Sequence, residues 1–121
     1  MEYINYDDFK KIDVRVGQII KAELAPKSER LVICTVQFGK KQIEGEEGQY
    51  ETRQIVSGIN QYIDSIDEIV GKKVLYVYNL EPKMIMGIES QGMLFAVGDN
   101  KETFSFMIPE KDTIEVGVRV H

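Results

Sequence analysis

The chain has one cysteine, one histidine, no tryptophan and three prolines in 121 residues, and each scarcity removes a class of explanation. Cys34 has no second thiol to pair with and no metal-ligating neighbour at a useful spacing, so neither a disulfide framework nor a metal site is expected. It sits in the apolar run LVICTVQF, where a thiol packs as a small hydrophobe. His121 is the last residue of the sequence, so no Ser-His-Asp or Cys-His pair can be assembled in an ordered interior. Carboxylates are plentiful, yet none lies in a pair framed by apolar residues that would tune one as acid and the other as base. No enzyme and no cofactor are expected.

Long apolar runs are also missing. Nothing approaches the roughly 20 residues needed to span a bilayer. The opening MEYINYDDFKK is acidic and aromatic where a signal peptide would be basic and then apolar. The expected location is the cytoplasm, without membrane contact. Positive charge is in deficit, with 15 Lys and Arg against 20 Asp and Glu and a net charge of -5, which disfavours indiscriminate polyanion binding. The acids gather in EGEEGQYE and DSIDE, so their field can point away from a local basic face.

What is present, 43% hydrophobic and 29% charged residues, suits a single domain over residues 1–121. In DVRVGQIIKAEL the even positions Val14, Val16, Ile20, Ala22 and Leu24 are apolar, the alternation of a half-buried strand, and Gly17 suits a bulge or bend. Strands follow at Leu31–Phe38, in TRQIVSG, in KKVLYVYNL and in SQGMLFAVG. Between the third and fourth, SIDEIVG predicts a short helix of about two turns, capped by Ser65 and Glu68 and ended by Gly71. The tail from about residue 100 holds two more short strand-like runs around Pro109. Five strands with one helix between the third and fourth is the order of an OB-fold, an all-β, five-stranded Greek-key barrel, here with short terminal extensions.

Cations Arg15, Lys21, Lys27, Arg30, Arg53, Lys72, Lys73 and Lys83 fall on strands or loops flanking the expected barrel face. With Ser57, Asn79, Ser90 and Gln91 at strand ends they predict a groove that follows a nucleic-acid backbone. Tyr62, Tyr76 and Tyr78 either stack on bases or pack in the barrel. In the stretch YNLEPKMIMGIESQGMLFAV, Met84, Met86 and Met93 either fill an irregular gap at the barrel mouth or floor a site beneath an unstacked base. Gly87 and Gly92 permit close backbone approach, with Ser90 and Gln91 at the rim.

The segments DFKKIDVRVGQIIKAE, RQIVSGINQY, IVGKKV, NLEPKMIMGIESQGMLFA and VGVRV together resemble the tRNA-binding domain family. Its members are stand-alone tRNA-binding proteins and the C-terminal appendages or subunits of methionyl-tRNA synthetase. The resemblance covers nearly the whole chain. It implies a tRNA partner held largely by shape and backbone, a homodimer joined through terminal segments including about 100–121, and an accessory role toward a methionyl-tRNA synthetase catalytic chain. Carried over by position, it nominates Arg30, Asn79, Ser90, Gln91 and Met93 for tRNA binding, and the reading of the cations adds Arg53 and Lys83 as phosphate contacts. The chain departs from the family pattern where Ala25-Pro26 replaces a His-Pro. It departs again where Glu81, Met84, Ile85 and Met86 stand in a loop that is more basic in relatives. CsaA-type secretion chaperones, which bind unfolded peptides, resemble the same fold, and a protein-protein docking module of a synthetase complex is a third possibility.

Overall fold

Alternation of side chains is plainest in the strand Val32–Lys40, where Val32, Cys34, Val36 and Phe38 are buried and the residues between them are half-exposed. This computed structural model describes all 121 residues, and its strands in chain order are β1 (Val14–Leu24), β2 (Val32–Lys40), β3 (Tyr50–Ser57), β4 (Lys73–Val77), β5 (Lys83–Ile85), β6 (Ile88–Ser90), β7 (Met93–Leu94), β8 (Ala96–Val97) and β9 (Ser105–Phe106). Five of them form one antiparallel sheet in the order β3-β2-β1-β4-β7. The sheet curls until its two edges meet, giving the expected OB-like architecture. Closure runs through the turn after β6, where Gln91 N donates to Gln54 O at 2.8 Å and Gln91 Oε1 accepts from Gln54 N at 2.9 Å.

The face assignment in the first half of β1 is the reverse of the sequence expectation. Ile19 is 1% exposed while Ile20 is 44% exposed, because Arg15, Gly17 and Ile19 share the inner face with Tyr76, Val74 and Val36. A bulge between Ile19 and Lys21, rather than at Gly17, then returns Ala22 to the inside. Gly17 is needed for packing: a Cβ there would lie 2.5 Å from Val36 Cγ1 and 2.8 Å from Phe38 Cε1. Val16 faces outward yet is 3% exposed, and the C-terminal segment pairs along this part of β1 through Gly117 N to Val16 O (2.7 Å) and Val120 N to Val14 O (2.7 Å).

The expected two-turn helix is replaced by two 3-10 turns, Asn60–Tyr62 and Ile66–Ile69. Gly71 N is tied to Ile19 O at 2.7 Å, which leaves too few residues to nucleate an α-helix. Ser65 Oγ accepts from Asp67 N, and Glu68 reaches Asp64 N, one residue earlier than a capping box requires. An unexpected α-helix, α1 (Tyr6–Lys10), starts where Asn5 Oδ1 accepts from Asp8 N at 2.7 Å. The expected fifth strand is broken at Phe95, so that β7 pairs with β4 and β8 with β9.

The core gathers Ile19, Val32, Val36, Ile55, Ile69, Val74 and Tyr76, each contributing about 1.5–3 kcal/mol if aliphatic. Cys34 lies among them, and burial pushes its thiol up to about 11. The methionines of the 84–93 stretch fill no gap: Met84 and Met86 are 60% and 70% exposed, and Met86 with Gly87 forms the two-residue turn of the β5-β6 hairpin at positive φ. No helix is long and apolar enough to cross a membrane.

Candidate nucleic-acid interface

Two adjoining hollows lie at the outer corner where β3, β6, β7 and the segment after β4 converge. The first, about 410 Å³, is lined by Val56, Ile59, Leu80, Ile85, Met93 and Leu94, with Lys83, Glu81 and Ser90 among them. The second, about 470 Å³, is lined by Arg53, Tyr78, Asn79, Leu80, Glu81, Pro82 and Gln91. Leu80 and Glu81 belong to both. Six of the seven residues nominated from the sequence therefore come together. Arg30 lines neither hollow, but its carbonyl accepts from Asn60 N at 3.1 Å, next to Ile59 in the first. The wider set of cations is dispersed. Lys73 donates to Asp112 O (2.6 Å) and Ile114 O (2.9 Å) and pins the C-terminal segment.

The nominated residues divide into two groups. Ser90 is 3% exposed, and its hydroxyl accepts from Val56 N at 3.0 Å and donates to Gly92 O at 3.1 Å. Gln91 brackets Gln54, and Asn79 accepts from Asp13 N at 2.8 Å while donating to Lys11 O at 2.6 Å. These amide and hydroxyl groups shape the corner from beneath, where the sequence had suggested a rim. Close approach explains Gly92, since a Cβ there would sit 3.1 Å from Val77 O. Met93, Lys83 and Arg30 form the other group. Met93 pairs with Val77 on the outward side of the sheet and is 46% exposed. Lys83 and Arg30 are both exposed, and neither takes part in the ion pairs that engage Arg15, Arg53, Arg119 and four lysines.

Arg53 falls between the groups. It pairs with Val36 and so points to the inner face, at the end of the barrel. Its Nε donates to Glu51 Oε1 at 2.9 Å, and its Nη1 donates to Tyr78 O and to Gln91 O. Its Cζ lies 3.6 Å from the centre of the Tyr78 ring, over which Arg15 Cζ also lies, at 4.1 Å. Tyr78 OH donates to Glu51, 2.5 and 2.7 Å from its two oxygens, and its ring meets Phe38 edge-on. Arg15 in turn grips Asp13 with two 3.0 Å hydrogen bonds, which hold the Asp13 carboxyl below its ordinary range. Burial, then the bond to Glu51, raises the Tyr78 phenol. Sequence reasoning missed Glu51 and Tyr78 as members of this cluster. The available signal was the spacing Glu51, Arg53, Ile55, which puts all three on one strand face.

The apolar floor with cations at its edge can accept a flat, uncharged ring system beside an anionic backbone, the chemistry of single-stranded RNA. Residues 14–119 match the family described as "Putative tRNA binding domain", and the chain belongs to that family. It is 38% identical over 120 residues to a methionine-tRNA ligase of Thermococcus kodakarensis, covering 99% of this chain and 14% of that protein. The chain thus spans about a seventh of the length of this relative, and 15% of a similar one from Pyrococcus horikoshii. A solved structure described as a MetRS related protein from Pyrococcus horikoshii superimposes over all of both chains with a TM-score of 0.81 and 34% identity. A CsaA chaperone protein from Picrophilus torridus superimposes with a TM-score of 0.77 and 27% identity, over 98% of this chain and all of that one.

Proposed function

We propose that this chain is a non-catalytic, cytoplasmic tRNA-binding protein that recognises tRNA largely by shape and backbone and serves methionyl-tRNA synthetase as an accessory domain or subunit. The observation that carries this reading is the match of almost the whole chain to a segment of methionine-tRNA ligases, within a family defined by tRNA binding. The geometry supports it through Lys83, an exposed cation without an ion-pair partner on the lining of the apolar hollow that holds Met93, while Arg30 is a second exposed, unpaired cation outside that lining. Arg53 adds what its Nη2 can offer, the other nitrogens being engaged. Ser90, Gln91 and Asn79 position the corner.

Dimerisation through the termini completes the proposal. Tyr3, Ile4, Tyr6 and Phe9 at one end, and Ile108, Val118 and Val120 at the other, expose apolar surface. Arg119 Nη2 donates to Lys10 O at 3.0 Å, which brings the two segments side by side. Light scattering at micromolar concentration checks this, and a monomer would contradict it.

A peptide-binding chaperone is the second reading, favoured by the apolar lining of the first hollow and by the CsaA likeness. A docking module for a synthetase complex uses the same exposed termini. One titration separates RNA from peptide: purified protein against tRNA and against an unfolded peptide at two salt concentrations. The proposal requires tRNA binding that weakens steeply with salt, and that weakens in the Ala variants of Arg30 and Lys83. Salt-insensitive peptide binding without tRNA binding would establish the chaperone.

A further inference from the structure

The Glu51 carboxylate sits on the Nε side of Arg53, a position that a phosphate gripping that edge of the guanidinium would need. It accepts from Arg53 Nε at 2.9 Å and is also held by the Tyr78 hydroxyl, 2.5 and 2.7 Å from its two oxygens. With Nε on Glu51 and Nη1 taken by the carbonyls of Tyr78 and Gln91, only Nη2 is left, and neither edge of the guanidinium has two nitrogens with which to grip an anion by parallel bonds. Both partners remain within reach of solvent, with side chains 24% and 32% exposed, and Arg53 lines the second hollow of the candidate interface. A fully internal brace would have no such opening.

We infer that Glu51 is a selectivity-setting residue, a resident carboxylate that competes with RNA phosphate for Arg53 and holds down affinity for polyanions that do not otherwise fit the corner. This rests on the tRNA-binding reading. A ligand whose shape also engages Met93, Lys83 and Arg30 binds despite the masked guanidinium. A ligand offering phosphate alone gains little, because it must displace a carboxylate anchored to Tyr78.

The test is Glu51→Gln, which keeps the side-chain shape and an acceptor for Tyr78 while removing the charge. Glu44→Gln, a change at an exposed loop acid, measures the long-range effect of losing one negative charge. Against tRNA and against a tRNA-unrelated single-stranded RNA, Glu51→Gln should bind tighter than Glu44→Gln, with the larger gain for the unrelated RNA. A gain of about tenfold, one charged hydrogen bond, is expected there, and the salt slope should steepen by about 0.7. The gain should vanish when Arg53→Ala is added. Pyrophosphate followed by the Arg53 Nε NMR signal is a probe that needs no tRNA: the shift should be small in the wild type and large in Glu51→Gln. Equal effects of Glu51→Gln and Glu44→Gln on RNA, or a pyrophosphate response unchanged by Glu51→Gln, would overturn the inference. If the wild type fails to bind tRNA while the pyrophosphate response still rises, the functional proposal falls and the masking stands.

Discussion

The end of the barrel and its outer corner hold similar residue types put to different use. At the barrel end, Arg15 and Arg53 point inward over Tyr78 and are matched to Asp13 and Glu51, so each guanidinium has a carboxylate and an aromatic ring. At the corner, Lys83 has no carboxylate within ion-pair distance, as is also true of Arg30 beyond the lining, and Met93 is left half-exposed. Charge that is partnered internally holds the sheet ends in place. Charge left without a partner, beside bare apolar surface, is available to a ligand.

If that division is right, substitutions in the two regions should fail in opposite ways. Arg53→Ala removes three internal hydrogen bonds and strands Glu51, so it should cost about 2–3 kcal/mol in urea melts and shift the salt slope of tRNA binding little. Ser90→Ala leaves the buried Val56 N–H without its acceptor and should cost about 1–2 kcal/mol, with affinity falling only as the corner loosens. Lys83→Ala should leave stability within about 0.5 kcal/mol and weaken all tRNAs alike. Met93→Ala should lower RNA affinity more than stability, which should change by about 1 kcal/mol or less because the side chain is half-exposed. Equal falls in melting temperature and binding would make Met93 a packing residue.

The barrel end also carries a pH signature. The Arg15 hydrogen bond lowers the Asp13 carboxyl below its unfolded value of about 3.9, so its contribution to stability is complete above that value. It is lost as pH falls through the lower folded value. Urea melts of Asp13→Asn and wild type should differ most near neutrality and converge in acid. A constant gap across that range would mean the ion pair contributes nothing.

Much of the fold was legible because β2 alternates cleanly, β4 is rich in β-branched and aromatic residues, and turn residues separate the strands. The inverted first half of β1 was not, since apolar residues occupy both of its faces: Ile19 faces the core while Val16 is buried on the other face, where residues 117–120 from the far end of the chain pair alongside. Local pattern carries no information about that pairing. The helix was misjudged because Ser65 and Glu68 offer real capping groups, while the tie of Gly71 to Ile19 shortens the segment. At the site, residue types together with the family resemblance nominated seven candidates, six of which line one corner. They could not separate the engaged hydroxyl of Ser90 from the open ammonium of Lys83, because that difference depends on partners distant in sequence.

The most direct test of the functional account is the salt dependence of tRNA affinity for Lys83→Ala beside wild type, between about 50 and 200 mM salt. The slope should flatten by about 0.9 at unchanged melting temperature, as one phosphate contact is lost. An unchanged slope and affinity would contradict the assignment of the outer corner as the surface that meets RNA.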